Sequence, residues 1–216
     1  MKYNTVIFDL DGTLLNTLDD LADSVNFALE KNKYPNHPTD RIRTFIGNGI
    51  KLLIERAVPK GISEEEFKKV FNDFVKHYEI NSRNKTAPYK GIPELLTILK
   101  EKGYKLAIVS NKIDFAVKDL RDEFFAGLIE IAIGDSEDTE NKPAPDMVFK
   151  ALNELSSTAE KSVYVGDTDV DLKTAENSGM DCISVSWGFR SRNELEDYKA
   201  EMIADTAEDV LKFIEG

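Results

Sequence analysis

Two apolar rhythms divide this chain. The first is a short run of β-branched and aromatic residues, as in Tyr3 to Phe8, which closes just before the turn-former Gly12. Similar runs recur at Lys105–Val109, Leu128–Ile133, Ser162–Val165 and Cys182–Val185. Each predicts a buried β-strand. The second rhythm predicts helices between those strands. Ile92 to Glu101 has Pro93 in its opening turn and halts before Gly103; Pro145 to Leu155 and Asp169 to Asn177 follow, the latter closed by Gly179. In the last helix, Thr206 to Ile214, Thr206 and Asp209 stand at N-cap and N3 spacing. Strands alternating with helices predict an α/β fold, a Rossmann-like parallel sheet joined by right-handed crossovers.

Residues 15–84 break this alternation and contain no convincing strand. Leu18, Leu21, Val25 and Leu29, then Leu52, Leu53 and Ala57, then Phe67, Val70, Phe71, Phe74 and Tyr78 keep helical spacing. Pro35, Pro38, Gly47, Gly49, Pro59 and Gly61 punctuate them. The expected organisation is therefore a core of residues 1–14 and 85–216, with a helical module inserted at 15–84 just after the first strand.

Charge narrows the partners. The formal net charge of −12 opposes nucleic acid, whose phosphates attract a basic surface, and there is no polybasic membrane patch. A small anion stays possible, because a metal and a few local cations outweigh a distant field that salt screens. The lone cysteine, Cys182, allows no intrachain disulfide and fits a reducing compartment. The apolar run before Asp9 is too short for a signal core or a membrane span. The expectation is a soluble cytoplasmic protein, monomeric or homodimeric.

Four polar clusters carry the candidate chemistry, and three stand where a strand ends, the usual border of a ligand crevice in such sheets. Asp9-Leu10-Asp11-Gly12-Thr13 offers two carboxylates that a turn can aim at one point, or simply an Asp-Gly turn. Ser110-Asn111-Lys112 offers a hydroxyl for a phosphate oxygen, or a helix cap. Lys142, between Asn141 and Pro143, is a phosphate clamp or a solvated lysine. Gly166-Asp167-Thr168-Asp169-Val170-Asp171 places three acids within five residues, which repel unless a cation or a helix N-terminus compensates. Magnesium suits such hard oxygen donors; a calcium loop does not fit, because Leu172 and Ser178 stand where that loop needs Gly and a bidentate acid. Taken together, the clusters supply a nucleophile, a proton donor, a phosphate clamp and a metal cage.

On these four motifs the chain resembles the haloacid dehalogenase superfamily, in its phosphoglycolate phosphatase-like branch, over essentially its whole length. Phe8-Asp9-Leu10-Asp11-Gly12-Thr13-Leu14 is similar to the family's first motif, Ser110 to its second, Lys142 to its third and Gly166 to Asp171 to its fourth. The helical insert takes the place of the family's cap. Arg43-Thr44-Phe45-Ile46-Gly47-Asn48-Gly49, Asn111-Lys112, Lys142-Pro143-Ala144-Pro145-Asp146 and Trp187-Gly188-Phe189 narrow the branch, whereas Asn16 stands where many relatives carry Asp. The resemblance implies a phosphatase with Asp9 as nucleophile and Asp11 as acid and then base. Ser110 and Lys142 would hold the phosphoryl oxygens, and Thr13, Asn111, Arg43 and Gly47 would contribute to substrate binding, Arg43 toward a substrate carboxylate. Mg²⁺ would bind the Asp9 carboxylate, the Asp11 carbonyl and Asp167, with Asp171 orienting bound water or Lys142.

The implied substrate is a small phosphorylated metabolite, 2-phosphoglycolate first. Pyrophosphate, sugar phosphates and nucleotides are alternatives on the same machinery. A phosphoglucomutase is disfavoured by Thr13, where such relatives usually carry Val, and a dehalogenase by Asp11 and Asp167. A non-catalytic binding protein would be expected to have lost a motif residue, and none is missing. Surface or packing roles are expected for His37 and His77, a core position for Cys182, and either a rim or a core position for Trp187.

Overall fold

The computed structural model describes residues 2–216. In chain order the elements are β1 (Thr5–Phe8), β2 (Leu15–Asn16), α1 (Leu18–Lys31), α2 (Thr39–Arg43), α3 (Gly49–Ala57), α4 (Glu64–Asn81), β3 (Ala87–Pro88) and α5 (Ile92–Glu101). There follow β4 (Lys105–Ile113), α6 (Asp114–Phe125), β5 (Ile131–Asp135), α7 (Asp146–Glu154) and β6 (Ser162–Gly166). The chain ends with α8 (Asp169–Ser178), β7 (Asp181–Val185), α9 (Arg192–Asp197), β8 (Met202–Ala204) and α10 (Ala207–Glu215). Residues 1–15 with 88–216 make one compact unit and residues 16–87 a second.

The first unit is an α/β fold around a six-stranded sheet in the order β5-β4-β1-β6-β7-β8, parallel at every pairing. Both faces are covered, which is why its strands read as unbroken apolar runs rather than as alternations. Val6, Phe8, Leu106, Ile108, Val163 and Val165 point to one face, under Leu95, Leu96 and Leu99 of α5 and Val210 and Ile214 of α10. Their neighbours Ile7, Ala107, Val109 and Tyr164 point to the other, under Met147, Val148 and Ala151 of α7 and Ala175 of α8. The chain builds outward from β1 to β4 and β5, then returns to β1's other side with β6. That reversal places a crevice at the carboxyl ends of β1, β4 and β6.

The second unit is helical. Leu21, Val25, Ala28 and Leu29 of α1 and Val70, Phe74 and Tyr78 of α4 form buried stripes, and these two helices make the largest packing contact of the unit. Ser63 and Glu66 close a reciprocal capping box that starts α4. Asp20 accepts bonds from the main chain of Lys85 and Thr86 and from the Thr86 hydroxyl, fastening the unit's last residues to α1.

Several expected boundaries are corrected. The run Leu128–Ile133 is not one strand: Leu128 and Ile129 donate their N–H groups back to the Phe125 carbonyl, closing α6, and β5 begins only at Ile131. Their apolar side chains pack against the core without sheet pairing. Residues 15–84 contain the short strand β2, too brief to show an alternation. The β4 strand runs four residues past Val109 and is irregular there. Val109 lies opposite Ile133 and Ile113 opposite Asp135, so four steps of β4 match two of β5. Such a bulge bends a strand and re-aims its side chains. The elements α6, α9 and β8 had no counterpart in the sequence reading.

Candidate active site

The four polar clusters converge at the carboxyl end of the sheet. Asp9 follows β1 directly, and its N–H donates to the Val165 carbonyl of β6 at 2.9 Å. At Gly12 the chain turns with φ +90°, in the left-handed region where glycine has no Cβ penalty. A Cβ at Gly12 would lie 2.4 Å from an Asp167 oxygen, so the turn also depends on glycine for room. At Gly188, in the loop after β7, a Cβ would meet the same Asp167 oxygen at 2.3 Å and the Gly12 carbonyl at 2.4 Å. Two side-chain-free positions thus let two loops close around one carboxylate.

Asp9, Asp167 and Asp171 are all buried, and one oxygen of each lies within 4.8 Å of the others. Lys142 Nζ reaches into this group, 2.8 Å from Asp9 Oδ1, 2.7 Å from Asp171 Oδ1 and 3.1 Å from the Tyr164 hydroxyl. Its side chain is 3% exposed. A buried ammonium on two carboxylates is far from a solvated surface lysine, and those carboxylates hold its pKa well above the usual lysine value despite burial. Burial raises Asp9 to about 7, against the pull of Lys142 and with help from Asp171 and Asp11. Burial also pushes Asp167 well above the ordinary carboxylate range, with Asp171 and Asp9 adding to it.

The remaining oxygens are not equivalent. Asp171 Oδ2 accepts from the N–H groups of Asp167 and Thr168 and from the Thr168 hydroxyl, while Oδ1 takes Lys142. Both oxygens are occupied by protein donors. Asp167 accepts from the Thr13 hydroxyl at 3.1 Å and the Phe189 N–H at 2.6 Å. Thr13 therefore spends its hydroxyl on Asp167 and is wholly buried. Asn111 spends its amide on Lys142: its Nδ2 donates to the Lys142 carbonyl at 3.0 Å, and its Oδ1 accepts the Lys142 N–H at 2.7 Å. That reciprocal pair ties the end of β4 to the loop carrying the lysine. Ser110 is 2% exposed at the same strand end.

The donor set suits a divalent cation. When all four are ionised, the carboxylates of Asp9, Asp11, Asp167 and Asp171 face two buried ammonium groups, those of Lys112 and Lys142, which leaves two negative charges uncompensated. Hard carboxylate oxygens are what small divalent cations prefer.

Arg43 and Gly47 belong to the other compact unit. Arg43 ends α2 half-buried, and Gly47 stands at φ +123° in the turn before α3. Arg56 holds that turn through the Phe45 carbonyl at 2.7 Å and Asn48 Oδ1 at 2.8 Å. His77 stacks on Phe27 and bonds Ser24, and His37 bonds the Ala57 carbonyl, so both histidines pack within this unit. Among the described residues no helix is long and apolar enough to cross a membrane.

Several contributors had no task assigned to them from the sequence. Tyr164 is buried beneath Lys142, yet in sequence it is one aromatic in an apolar strand. Gly188 and Phe189 serve Asp167, and only the Trp-Gly-Phe pattern hinted at them. Trp187 packs against the core and donates Nε1 to the Thr13 carbonyl at 3.1 Å, bracing the first turn from behind. The lysine after Asn111 stood in a matched motif without a task.

Comparison with known proteins agrees with this geometry. The family model for haloacid dehalogenase-like hydrolases matches residues 6–185. A phosphoglycolate phosphatase of Aquifex aeolicus is 35% identical over 87% of this chain and 87% of its own. One from Psychrobacter arcticus is 36% identical, covering 88% of this chain and 86% of its own. A crystal structure from Lactobacillus delbrueckii subsp. bulgaricus, described as a candidate phosphoglycolate phosphatase, superposes with a TM-score of 0.95 at 36% identity and covers 99% of both chains. The chain belongs to the haloacid dehalogenase-like hydrolases, as a phosphatase of the phosphoglycolate phosphatase-like branch.

Proposed function

We propose that the protein is a Mg²⁺-dependent phosphomonoesterase that hydrolyses a small phosphate ester, 2-phosphoglycolate first among them, through an aspartyl-phosphate on Asp9. The observation that carries this reading is the buried Asp9–Lys142–Asp171 chain beside Asp167, at the carboxyl end of the sheet. The names of the relatives favour phosphoglycolate over the other esters.

An anionic carboxylate attacking an anionic ester is opposed by charge, so catalysis rests on positioning and neutralisation. Lys142 meets both needs. Its ammonium fixes one Asp9 oxygen, leaving the other for attack on phosphorus, and it offers positive charge to the incoming phosphoryl oxygens. Asp171 and Tyr164 keep that ammonium from following Asp9 alone. The Ser110 hydroxyl, at the next strand end, donates to a phosphoryl oxygen. Asp11 gives its proton to the departing alkoxide, then takes one from the water that attacks the aspartyl-phosphate. Two displacements replace one difficult hydrolysis. Asp9, Asp167 and the Asp11 carbonyl would hold Mg²⁺, which supplies the two positive charges the carboxylates lack. In the helical unit, Arg43 and the Gly47 turn contribute substrate selection.

The test is phosphate release from a panel of esters, comparing kcat/KM for 2-phosphoglycolate, pyrophosphate and sugar phosphates in Mg²⁺ with and without chelator. The reading expects 2-phosphoglycolate to lead and activity to vanish with chelator and in Asp9→Asn. A sugar phosphate leading the panel would move the substrate assignment, and metal-independent turnover would remove the mechanism.

A further inference from the structure

The Lys112 ammonium lies 3.0 Å from Asp11 Oδ1 and 3.0 Å from Oδ2, and its side chain is 3% exposed. Burying an ammonium costs several kcal/mol unless a partner compensates, so a lysine in this position is an expensive way to hold a loop. It is also unusually fixed. Lys112 lies in the bulge between Val109 and Ile113, where β4 departs from β5. Its N–H donates to Ser110 Oγ at 3.3 Å. Gly134 of β5 allows close approach from the other side: a Cβ there would lie 2.5 Å from the Lys112 carbonyl. Asp114, one residue past the bulge, accepts the Gly134 N–H at 3.0 Å. The main chain of Lys112 is thereby clamped before its side chain reaches across to Asp11.

We propose that Lys112 is the positioning residue for Asp11: a bulge-mounted ammonium that contacts both carboxylate oxygens and so sets where the carboxyl group stands beside the ester's leaving oxygen. This rests on the acid–base role given to Asp11 above. A single ammonium equidistant from two oxygens lies in the plane that bisects the carboxylate and restrains both oxygens equally. Asp11 is 15% exposed at its side chain, so without that restraint it can rotate toward solvent. Lys112 and Lys142 divide the work: one places the nucleophile and the other the proton donor. Between them, Asn111 links the end of β4 to the loop that carries Lys142.

A role through Asp11 has a signature that a purely structural lysine lacks. Phenyl phosphate and p-nitrophenyl phosphate have similar shape and the same phosphoryl group, but phenolate is much the poorer leaving group and depends more on protonation. Misplacing a catalytic group by about 1 Å costs up to about a hundredfold, and general acids contribute roughly 10²- to 10⁴-fold. The experiment measures kcat/KM, which reports steps through leaving-group departure, for both esters with wild type, Lys112→Met, Lys112→Arg, Asp11→Asn and the double variant Lys112→Met/Asp11→Asn. The proposal expects Lys112→Met to lower kcat/KM for phenyl phosphate about 10-fold more than for p-nitrophenyl phosphate. Lys112→Arg should show the same differential loss in smaller measure, and the double variant should show no more of it than Asp11→Asn alone. Equal losses on both esters in Lys112→Met and Lys112→Arg overturn the proposal, as does additivity in the double variant. Should Lys112→Met fail to fold by circular dichroism, the selectivity of Lys112→Arg alone decides. If Asp11→Asn itself shows no leaving-group selectivity, the acid–base reading falls and this inference falls with it; if Asp11→Asn is selective and the lysine variants are not, only Lys112 loses its role.

Discussion

The charge deficit at the sheet's carboxyl end makes a quantitative prediction about Asp167. One of its oxygens lies within 4.8 Å of one oxygen each of Asp9 and Asp171. Two like unit charges at that separation repel by roughly 3.5 kcal/mol at an effective dielectric of about 20. Lys142 touches Asp9 and Asp171 but makes no bond to Asp167, so Asp167 carries much of the uncompensated repulsion. Asp167→Asn removes a carboxyl whose ionisation burial and both neighbouring carboxylates oppose, while keeping an oxygen for the Thr13 hydroxyl or the Phe189 N–H. Metal-free, the variant should melt at or above the wild-type temperature, although it replaces a fully buried residue. With Mg²⁺ the order reverses. Ligand at about 100 times its Kd stabilises by about 2.7 kcal/mol, which for a chain of this size raises Tm by roughly 5–10 °C. The wild type should gain that much and Asp167→Asn less than about 2 °C. The assay is differential scanning calorimetry in chelator or in Mg²⁺, with NaCl matching ionic strength. A variant that keeps the full Mg²⁺ increment, or that melts well below wild type without metal, would refute the account of this cluster.

Three further outcomes are expected. Burial raises Asp9 to about 7 and Asp167 well above the usual range, so the folded metal-free protein binds protons that the unfolded chain has released. The Asp9 contribution to stability is therefore full below the ordinary carboxylate range and lost as pH rises through about 7, and Asp167 acts in the same direction; in chelator Tm should fall between pH 5 and 7.5, and Mg²⁺ should suppress the fall. Gly188→Ala puts a methyl 2.3 Å from an Asp167 oxygen, and Mg²⁺ affinity from calorimetric titration should drop about 10-fold or more, with unchanged affinity counting against the packing argument. Arg43→Ala should raise KM for 2-phosphoglycolate by about 10- to 100-fold, the worth of a lost charge-assisted hydrogen bond, and KM for p-nitrophenyl phosphate little; equal changes would remove the arginine from substrate selection.

How much of this was legible in the sequence depended on whether the signal was local. Strands β1, β6 and β7 are buried on both faces and announced themselves as apolar runs. The helix from Ile92 to Glu101 carried its own proline start and glycine stop. Asp9, Asp11, Ser110 and Asp167 stood at strand ends, where the fold brings loops together, and Lys142 stood in a proline-flanked stretch before a helix. What escaped was non-local. Ile129 is a core residue and Leu128 packs against the core by side chain, while both close a helix by main chain, and apolarity alone does not separate the two. The bulge at Ser110–Lys112 exists only in the register between β4 and β5, so the buried lysine looked like any other. The amide of Asn111 was expected near substrate, but its bonds to Lys142 join residues 31 apart. The spacing around Asp171 revealed a carboxylate, not that five protein donors already fill its oxygens.

The most direct measurement is peptide mapping of enzyme acid-quenched during turnover of a phosphate ester in Mg²⁺. The account predicts a hydroxylamine-labile phosphoryl group on the peptide carrying Asp9, present in wild type and missing from Asp9→Asn. A phosphoryl group on another residue, or one that survives in Asp9→Asn, would contradict it.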